Sequence, residues 1–229
     1  MQPGWPAVLV DGPVLLRPYR RRDAKAWSEV RRADEAWLAP WEPAPNGGLW
    51  ANLNSPVAFR AVYADLRRAA REGSAMPFAV CMRAGSVERL VGQLTIGGIV
   101  RRAFCSGYAG YWIASGFAGQ GIIPTALALA VDHAFALGGL HRIEVNIRPE
   151  NAPSRRVVEK LGFREEAYHQ RYLHIDGAWR DHVGYAITAE ELRADGGLRG
   201  RLRKLRAVAA EADLSASQAW RKARGDRTP

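Results

Sequence analysis

The chain has 229 residues, 48% of them apolar and 24% charged, with a formal net charge of +10, which suits one domain with an appendage or two small ones. No apolar run reaches the ~20 residues that span a bilayer, and the first residues, with Pro3, Trp5 and Pro6, lack the basic-then-apolar order of a secretory signal. Cys81 and Cys105 form no CxxC pair, which argues against a disulfide framework or a zinc site and for a metal-free, cytoplasmic protein without a membrane partner.

In chain order, Val14 to Pro18 reads as a first strand stopped by Pro18. Asp23 offers an N-cap for a helix through Ala36, with Ala26, Trp27, Val30 and Ala33 on one face. Leu38 to Gly48 is rich in Pro and Gly and predicts an irregular loop. Ser55 and Pro56 start a second helix, running through Phe59, Val62, Tyr63 and Leu66 to Gly73. Pro77 to Met82, Leu90 to Ile96 and Ser106 to Ile113 read as antiparallel strands, with Gly85-Ser86 and Gly97-Gly98 in the turns. From Ile122 to Leu137 nearly every residue is apolar, which predicts a helix buried against a sheet, with Pro124 tolerated in its first turn. Ile143 to Ile147 is the next strand, and strand, helix and strand imply a parallel, right-handed unit. Ala152 to Leu161 forms a short helix closed by Gly162, with Phe163 packing back on Val158. Glu166 to Ile175 and Trp179 to Thr188 are the last strands, joined at Asp176-Gly177.

The fold expected is therefore mixed α/β over residues 1–190, and residues 191–229 read as a basic, helical C-terminal extension. From Arg199 to the C-terminus there are nine Lys/Arg and three Asp/Glu, so this stretch carries +6 of the +10. Such a tail suits a ribosome or RNA contact, a solvated terminus, or a helix packed on a second subunit in a homodimer.

One stretch points to chemistry. Gly116-Phe117-Ala118-Gly119-Gln120-Gly121-Ile122-Ile123-Pro124-Thr125 links a strand to the apolar helix. Glycines there let backbone N–H groups approach a phosphate. A dinucleotide site would need a third glycine and a place on the first strand of a parallel unit. A Walker loop would need Gly-Lys-Ser/Thr. Neither is present, which leaves an N–H nest suited to a pyrophosphate.

The ordered set Tyr111-Trp112-Ile113, Gly119-x-Gly121-Ile122-Ile123, Asn146, Asn151-x-x-Ser154 and Leu161-Gly162-Phe163 resembles the GNAT acetyltransferases. Within them it is most similar to the ribosomal-protein N-terminal acetyltransferases of the RimJ/RimL type. Leu38-Ala39-Pro40-Trp41-Glu42-Pro43 and Tyr172 through His182 add to the match, which covers about residues 12–190. The resemblance implies a GNAT fold: a mostly antiparallel sheet with one splayed parallel strand pair, flanked by helices. It also implies acetyl-CoA as co-substrate, lying in a V between the strand ending at Ile113 and the strand Ile143 to Ile147. Trp112, Ile113, Gly119, Gln120, Gly121, Ile122, Asn146, Asn151 and Ser154 are the implied cofactor contacts. Where the family's phosphate loop commonly carries Arg or Gln, this chain has Ala118, and Ile123 replaces a small residue. The grip must then come mainly from the backbone.

An amine must be neutral to attack a thioester, and an α-amine, with a pKa of about 7.7–8.0, is partly so at pH 7. The departing thiolate needs a donor, and the resemblance assigns that role to Ser154. The base is open: Arg171 stands where some RimL-like proteins have a glutamate, leaving Glu144 and Asp181 as candidates. Tyr172 is a second candidate donor. Trp37, Trp41 and Trp50 could clamp an acceptor, and Glu42 could attract a cationic one. The five histidines show no metal spacing and read as structural. The reading is an acetyl-CoA-dependent N-acetyltransferase acting by direct attack on a peptide N-terminus. The alternatives are a small amine such as a polyamine or aminoglycoside, and a non-catalytic CoA-binding module.

Overall fold

The computed structural model describes residues 3–43 and 54–224, with side chains to residue 211. Trp50 and residues 44–48 of the proline-rich loop lie outside the described residues. Eight strands form one sheet: β1 (Leu9–Asp11), β2 (Val14–Pro18), β3 (Met76–Ala84), β4 (Val87–Val100), β5 (Ser106–Ile113), β6 (Arg142–Ile147), β7 (Arg164–Ile175) and β8 (Ala178–Thr188). Their spatial order is β1-β2-β3-β4-β5-β6-β8-β7, and only β5 and β6 run parallel. The helices are α1 (Ala24–Ala33), α2 (Glu35–Leu38), α3 (Pro56–Glu72), α4 (Ile122–Ala136), α5 (Ala152–Lys160) and α6 (Leu198–Arg224).

The parallel pair decides the architecture. β5 and β6 pair only from Ser106↔Arg142 to Tyr108↔Glu144. Beyond that each strand stays bonded to its outer neighbour, β5 through Gly92↔Ile113 and β6 through Ile147↔Val183. The two strands therefore part, and the V between them is held open from outside.

Each face of the sheet has its own core. On one, α4 packs with Leu16, Phe78, Leu94, Ile143, Val145 and Tyr185. Leu127, Ala128, Ala130 and Val131 of α4 are fully buried. Burying one such leucine contributes about 1.5–3 kcal/mol, which is why a helix apolar all round is stable here. Leu192, Leu198 and Leu202 join this core, so α6 is built onto α4. On the other face, Trp27 of α1 and Phe59 of α3 pack against Leu15, Ala79, Cys81 and Leu90. Ser55 caps α3 by accepting from the N–H of Ala58 at 3.0 Å, and Gly73 ends it at φ 76°.

Four local expectations change, the first being that Gly97-Gly98 lies inside β4, at an irregularity in its pairing with β5, and not in a turn. The helix from Asp23 breaks after Ala33, because the Asp34 carboxylate accepts from the N–H and hydroxyl of Ser115 at 2.8 and 2.6 Å. The start of the proline-rich loop is ordered as α2 and a single turn, Ala39–Trp41. A short edge strand, β1, precedes the first expected strand. Among the described residues, no helix is long and apolar enough to cross a membrane. Nor do they contain a cluster of three or more His, Cys, Asp or Glu that could hold a metal.

Candidate active site

The glycine loop leaves the end of β5, makes one turn at Ser115–Phe117 and enters α4. Gly119 and Gly121 sit at φ 75° and 74°, where a side chain would be strained, and Gly121 is the N-cap of α4. The N–H groups of the first helical turn have no intrahelical acceptor, so they and the positive end of the helix dipole can meet an anion. The Gln120 side chain donates to the Gly116 carbonyl at 2.9 Å and so braces the loop.

A separate cavity of about 400 Å³ fills the V, bounded by Tyr108 to Tyr111 of β5, Val145 to Arg148, Asn151 and Ser154. Trp41, Tyr172 and His182 close its far side. Alternation along the strands gives this cavity two different ends. Tyr111 packs with the α4 core, whereas Trp112 packs with the α1–α3 core. On β8, Val183 pairs with Ile147 and faces α4, so its neighbour His182 faces the other way, with Asn146 and Gly184.

On the α4–α5 side, the Tyr111 and Ser154 hydroxyls lie 2.9 Å apart. The Ser154 N–H donates to Asn151 Oδ1 at 3.2 Å, which fixes the start of α5. Burial pushes the Tyr111 hydroxyl up to about 12, so it keeps its proton. Within the pair one hydroxyl donates to the other, and the second proton is free to point at a sulfur.

On the opposite side, His182 is 2% exposed. Its Nδ1 lies 3.1 Å from the Arg180 carbonyl. A carbonyl only accepts, so the proton is on Nδ1 and Nε2 is the basic nitrogen. Burial lowers the His182 pKa below its ordinary value, keeping the ring neutral. Tyr172 packs edge-on against it, with ring centroids 5.5 Å apart. Asn146 donates to the Tyr172 hydroxyl at 3.4 Å, and its Oδ1 is buried without a partner. A buried orphan acceptor in the V is the feature expected where an amide N–H of a bound pantetheine arm or an acceptor amine completes the site. With the glycine nest on the loop that follows β5 and the hydroxyl pair in the V, the residues present fit acetyl-CoA.

The structure brings Gly119, Gln120, Gly121, Ile122, Asn146, Asn151 and Ser154 to the loop or the V, and places other candidates differently. The Trp112 side chain lies outside the cavity lining, with the Arg31 guanidinium 5.5 Å from its ring centre. The Ile113 carbonyl accepts from the Trp37 indole N–H at 3.1 Å, so Trp37 clamps the end of β5. Glu42 is ion-paired with Arg31. Glu144 is ion-paired with Arg142 at 2.9 Å. Asp181 accepts from the Arg171 N–H at 2.7 Å and the Tyr168 hydroxyl at 2.8 Å, holding the irregular stretch of β7 where Arg171 sits at φ 50°. These bonds lower its pKa and keep it ionised. Trp41 does line the cavity, with Arg148 5.3 Å from its ring centre and bonded to the Pro40 carbonyl at 2.6 Å. Sequence reasoning did not single out Tyr111 and His182 as candidate site residues. Alternation with buried Ala109 was a signal for Tyr111; His182 needed the β6–β8 register.

The sequence profile described as Acetyltransferase (GNAT) domain matches residues 14–164. The [Ribosomal protein uS5]-alanine N-acetyltransferase of Escherichia coli (strain K12) is 29% identical over 178 residues, 78% of this chain and 89% of that protein. A solved structure of Mycobacterium smegmatis RimJ in complex with CoA-disulfide is 45% identical, with a TM-score of 0.82 over 92% of this chain and 98% of that one. The ribosomal-protein-S5-alanine acetyltransferase from Vibrio fischeri is 26% identical, with a TM-score of 0.72 over 81% and 98%.

Proposed function

Because this chain belongs to the GNAT acetyltransferase family and is an acetyl-CoA-dependent N-acetyltransferase, we propose that its acceptor is the α-amine of a protein N-terminus, with ribosomal proteins as the class of substrate. One observation carries this. Among the described residues, the cavity lining contains no carboxylate and one guanidinium, Arg148. The nearby acids are spoken for: Glu42 by Arg31, Glu144 by Arg142, Glu150 by Arg148 itself, and Asp181 by the Arg171 N–H and the Tyr168 hydroxyl. A polyamine or aminoglycoside would bring several positive charges to a wall without counter-charge. An α-amine brings one, and loses it near pH 8. The names of the Escherichia coli and Vibrio fischeri relatives support the same acceptor.

The side chains divide the work. Bound acetyl-CoA supplies an activated acyl group as a thioester. The glycine nest and the α4 N-terminus hold its phosphates. Asn146 offers its orphan oxygen to an N–H in the V. His182 takes the ammonium proton through Nε2, which burial keeps unprotonated and so available as a base. Ser154, with Tyr111 behind it, donates a hydrogen bond to the departing sulfur on the other side. Trp41 and Tyr172 line the entrance for the acceptor chain.

Thiol release with acetyl-CoA tests the reading across peptides with a free N-terminal alanine or serine, the same peptides blocked at the N-terminus but carrying lysine, spermidine and kanamycin. The free N-termini should give much the highest kcat/KM. Faster turnover of spermidine or kanamycin would overturn the proposed acceptor, and cofactor binding without turnover of any amine would make the chain a CoA-binding module.

A further inference from the structure

The glycine loop from Gly116 to Thr125 contains no lysine or arginine. The cation beside it comes from the other end of the chain. Arg206, on α6, places Nη2 2.7 Å from Thr125 Oγ1 in the first turn of α4. The same nitrogen is the nearest atom to a Cβ built on Gly121, at 3.7 Å. Arg206, Gln120, Gly121, Ile122 and Thr125 line a cavity of about 240 Å³ whose opposite wall is the β1–β2 turn, Asp11 to Val14. Thr125 in turn donates to the Gly121 carbonyl at 2.7 Å.

The register of α6 that delivers this guanidinium is fixed. Leu198 and Leu202 are buried in the main core. The Asp132 carboxylate of α4 accepts from the N–H groups of Leu198 and Arg199 at 2.6 and 3.0 Å. Arg201 donates to the carbonyls of Leu161 and Glu191 at 3.2 and 2.7 Å. Asp11, the one carboxylate in the cavity wall, is engaged by Arg199 at 3.4 Å. Among the described residues Arg206 has a hydroxyl partner and no carboxylate, so its charge is left for an anion.

We propose that Arg206 binds the pyrophosphate of CoA, supplying from α6 the cationic contact that Ala118 leaves out of the loop. A guanidinium offers five N–H donors in a planar fork, so it can hold Thr125 with one edge and a phosphate oxygen with the other. The C-terminal helix is then part of the cofactor site. This inference rests on use of CoA and is independent of the acceptor.

Calorimetry on the full chain tests it with three probes: CoA, dephospho-CoA and pantetheine. Arg206→Met keeps the apolar stem and removes the charge. It should weaken CoA and dephospho-CoA alike, by about tenfold to 100-fold, leave pantetheine unchanged and flatten the salt dependence of CoA binding. Arg206→Lys should recover part of the loss. Thermal unfolding should be the same in both variants and the parent. Unchanged CoA affinity in Arg206→Met overturns the proposal, as does an equal loss for all three probes, which would mean a purely structural arginine. A loss confined to CoA would move the contact to the 3′-phosphate and overturn the pyrophosphate assignment.

Discussion

At the scale of the residue, His182 carries the sharpest consequence. A buried imidazole with a lowered pKa is neutral where free histidine is half charged, so the proposed base is ready at pH 7. His182→Gln should lower kcat/KM for an N-terminal peptide at pH 7 by about 100-fold. The deficit should shrink as pH rises through ~8, where the amine sheds its own proton. A pH–rate profile of parent and variant checks this; a deficit constant with pH would assign His182 a purely structural role. The same residue shows why composition alone misleads. His182 neighbours the core residues Val183 and Tyr185, and in sequence it reads as one more packed ring. Only the pairing of Ile147 with Val183 turns it to the cavity. Ser154 was singled out by the family resemblance, since Asn151-x-x-Ser154 by itself reads as the local helix cap that the structure shows, whereas Glu42 and Glu144 looked available until the folded chain gave each an arginine.

At the scale of the element, what could be read was what is local. The apolar run of α4, the Ser55-Pro56 start of α3, and the Gly162 end of α5, where Phe163 N–H reaches the Val158 carbonyl at 3.0 Å, each lie within a few residues. The break at Asp34 depends on Ser115, and the start of α6 depends on Asp132, contacts across 81 and 66 residues. No window of sequence contains both partners. Asp132 therefore offers a test of how α6 is held. Burial raises its pKa against the pull of the two N–H bonds, and those bonds cap a helix preceded by Gly196-Gly197. Asp132→Ala should cost about 1–2 kcal/mol of stability and weaken CoA binding in the direction of Arg206→Met, because α6 loses its register. Thermal unfolding and calorimetry together separate the two variants: only Asp132→Ala should lower the melting temperature.

At the scale of the molecule, charge governs the response to acid. Burial raises the Glu88 carboxyl, and the bond and charge of Arg17, the charge of Arg20 and the Cys81 thiol together lower it more, for a net fall. Hydrogen bonds from Lys204 and Arg201 lower Asp195, and one from Arg142 lowers Glu166. Groups lowered on folding stabilise the chain above their unfolded pKa, about 3.9–4.3, and lose that contribution as pH falls through the folded value. His182, also lowered, is neutral when folded and charged when unfolded, so it withdraws stability earlier, below pH ~6.5. Calorimetric melting from pH 7 to 3 should thus decline in two stages, and His182→Gln should remove the first. The basic extension belongs to this whole-molecule picture as well, since Arg199, Arg201, Lys204 and Arg206 are bonded to groups within the described chain. The V itself governs traffic. Its apex is sealed at Tyr108 and Glu144, and each arm is stitched to an outer strand. The sheet is thus a partition with a slit where β5 and β6 part, and in the proposed reaction the acetyl group crosses it. With the proposed acceptor, the acetylated chain would depart from the His182 side without passing the nucleotide, so the spent thiol could stay docked while the peptide leaves. A single compound joining peptide to CoA must be threaded through the slit from its open end, and should therefore associate more slowly than either half alone.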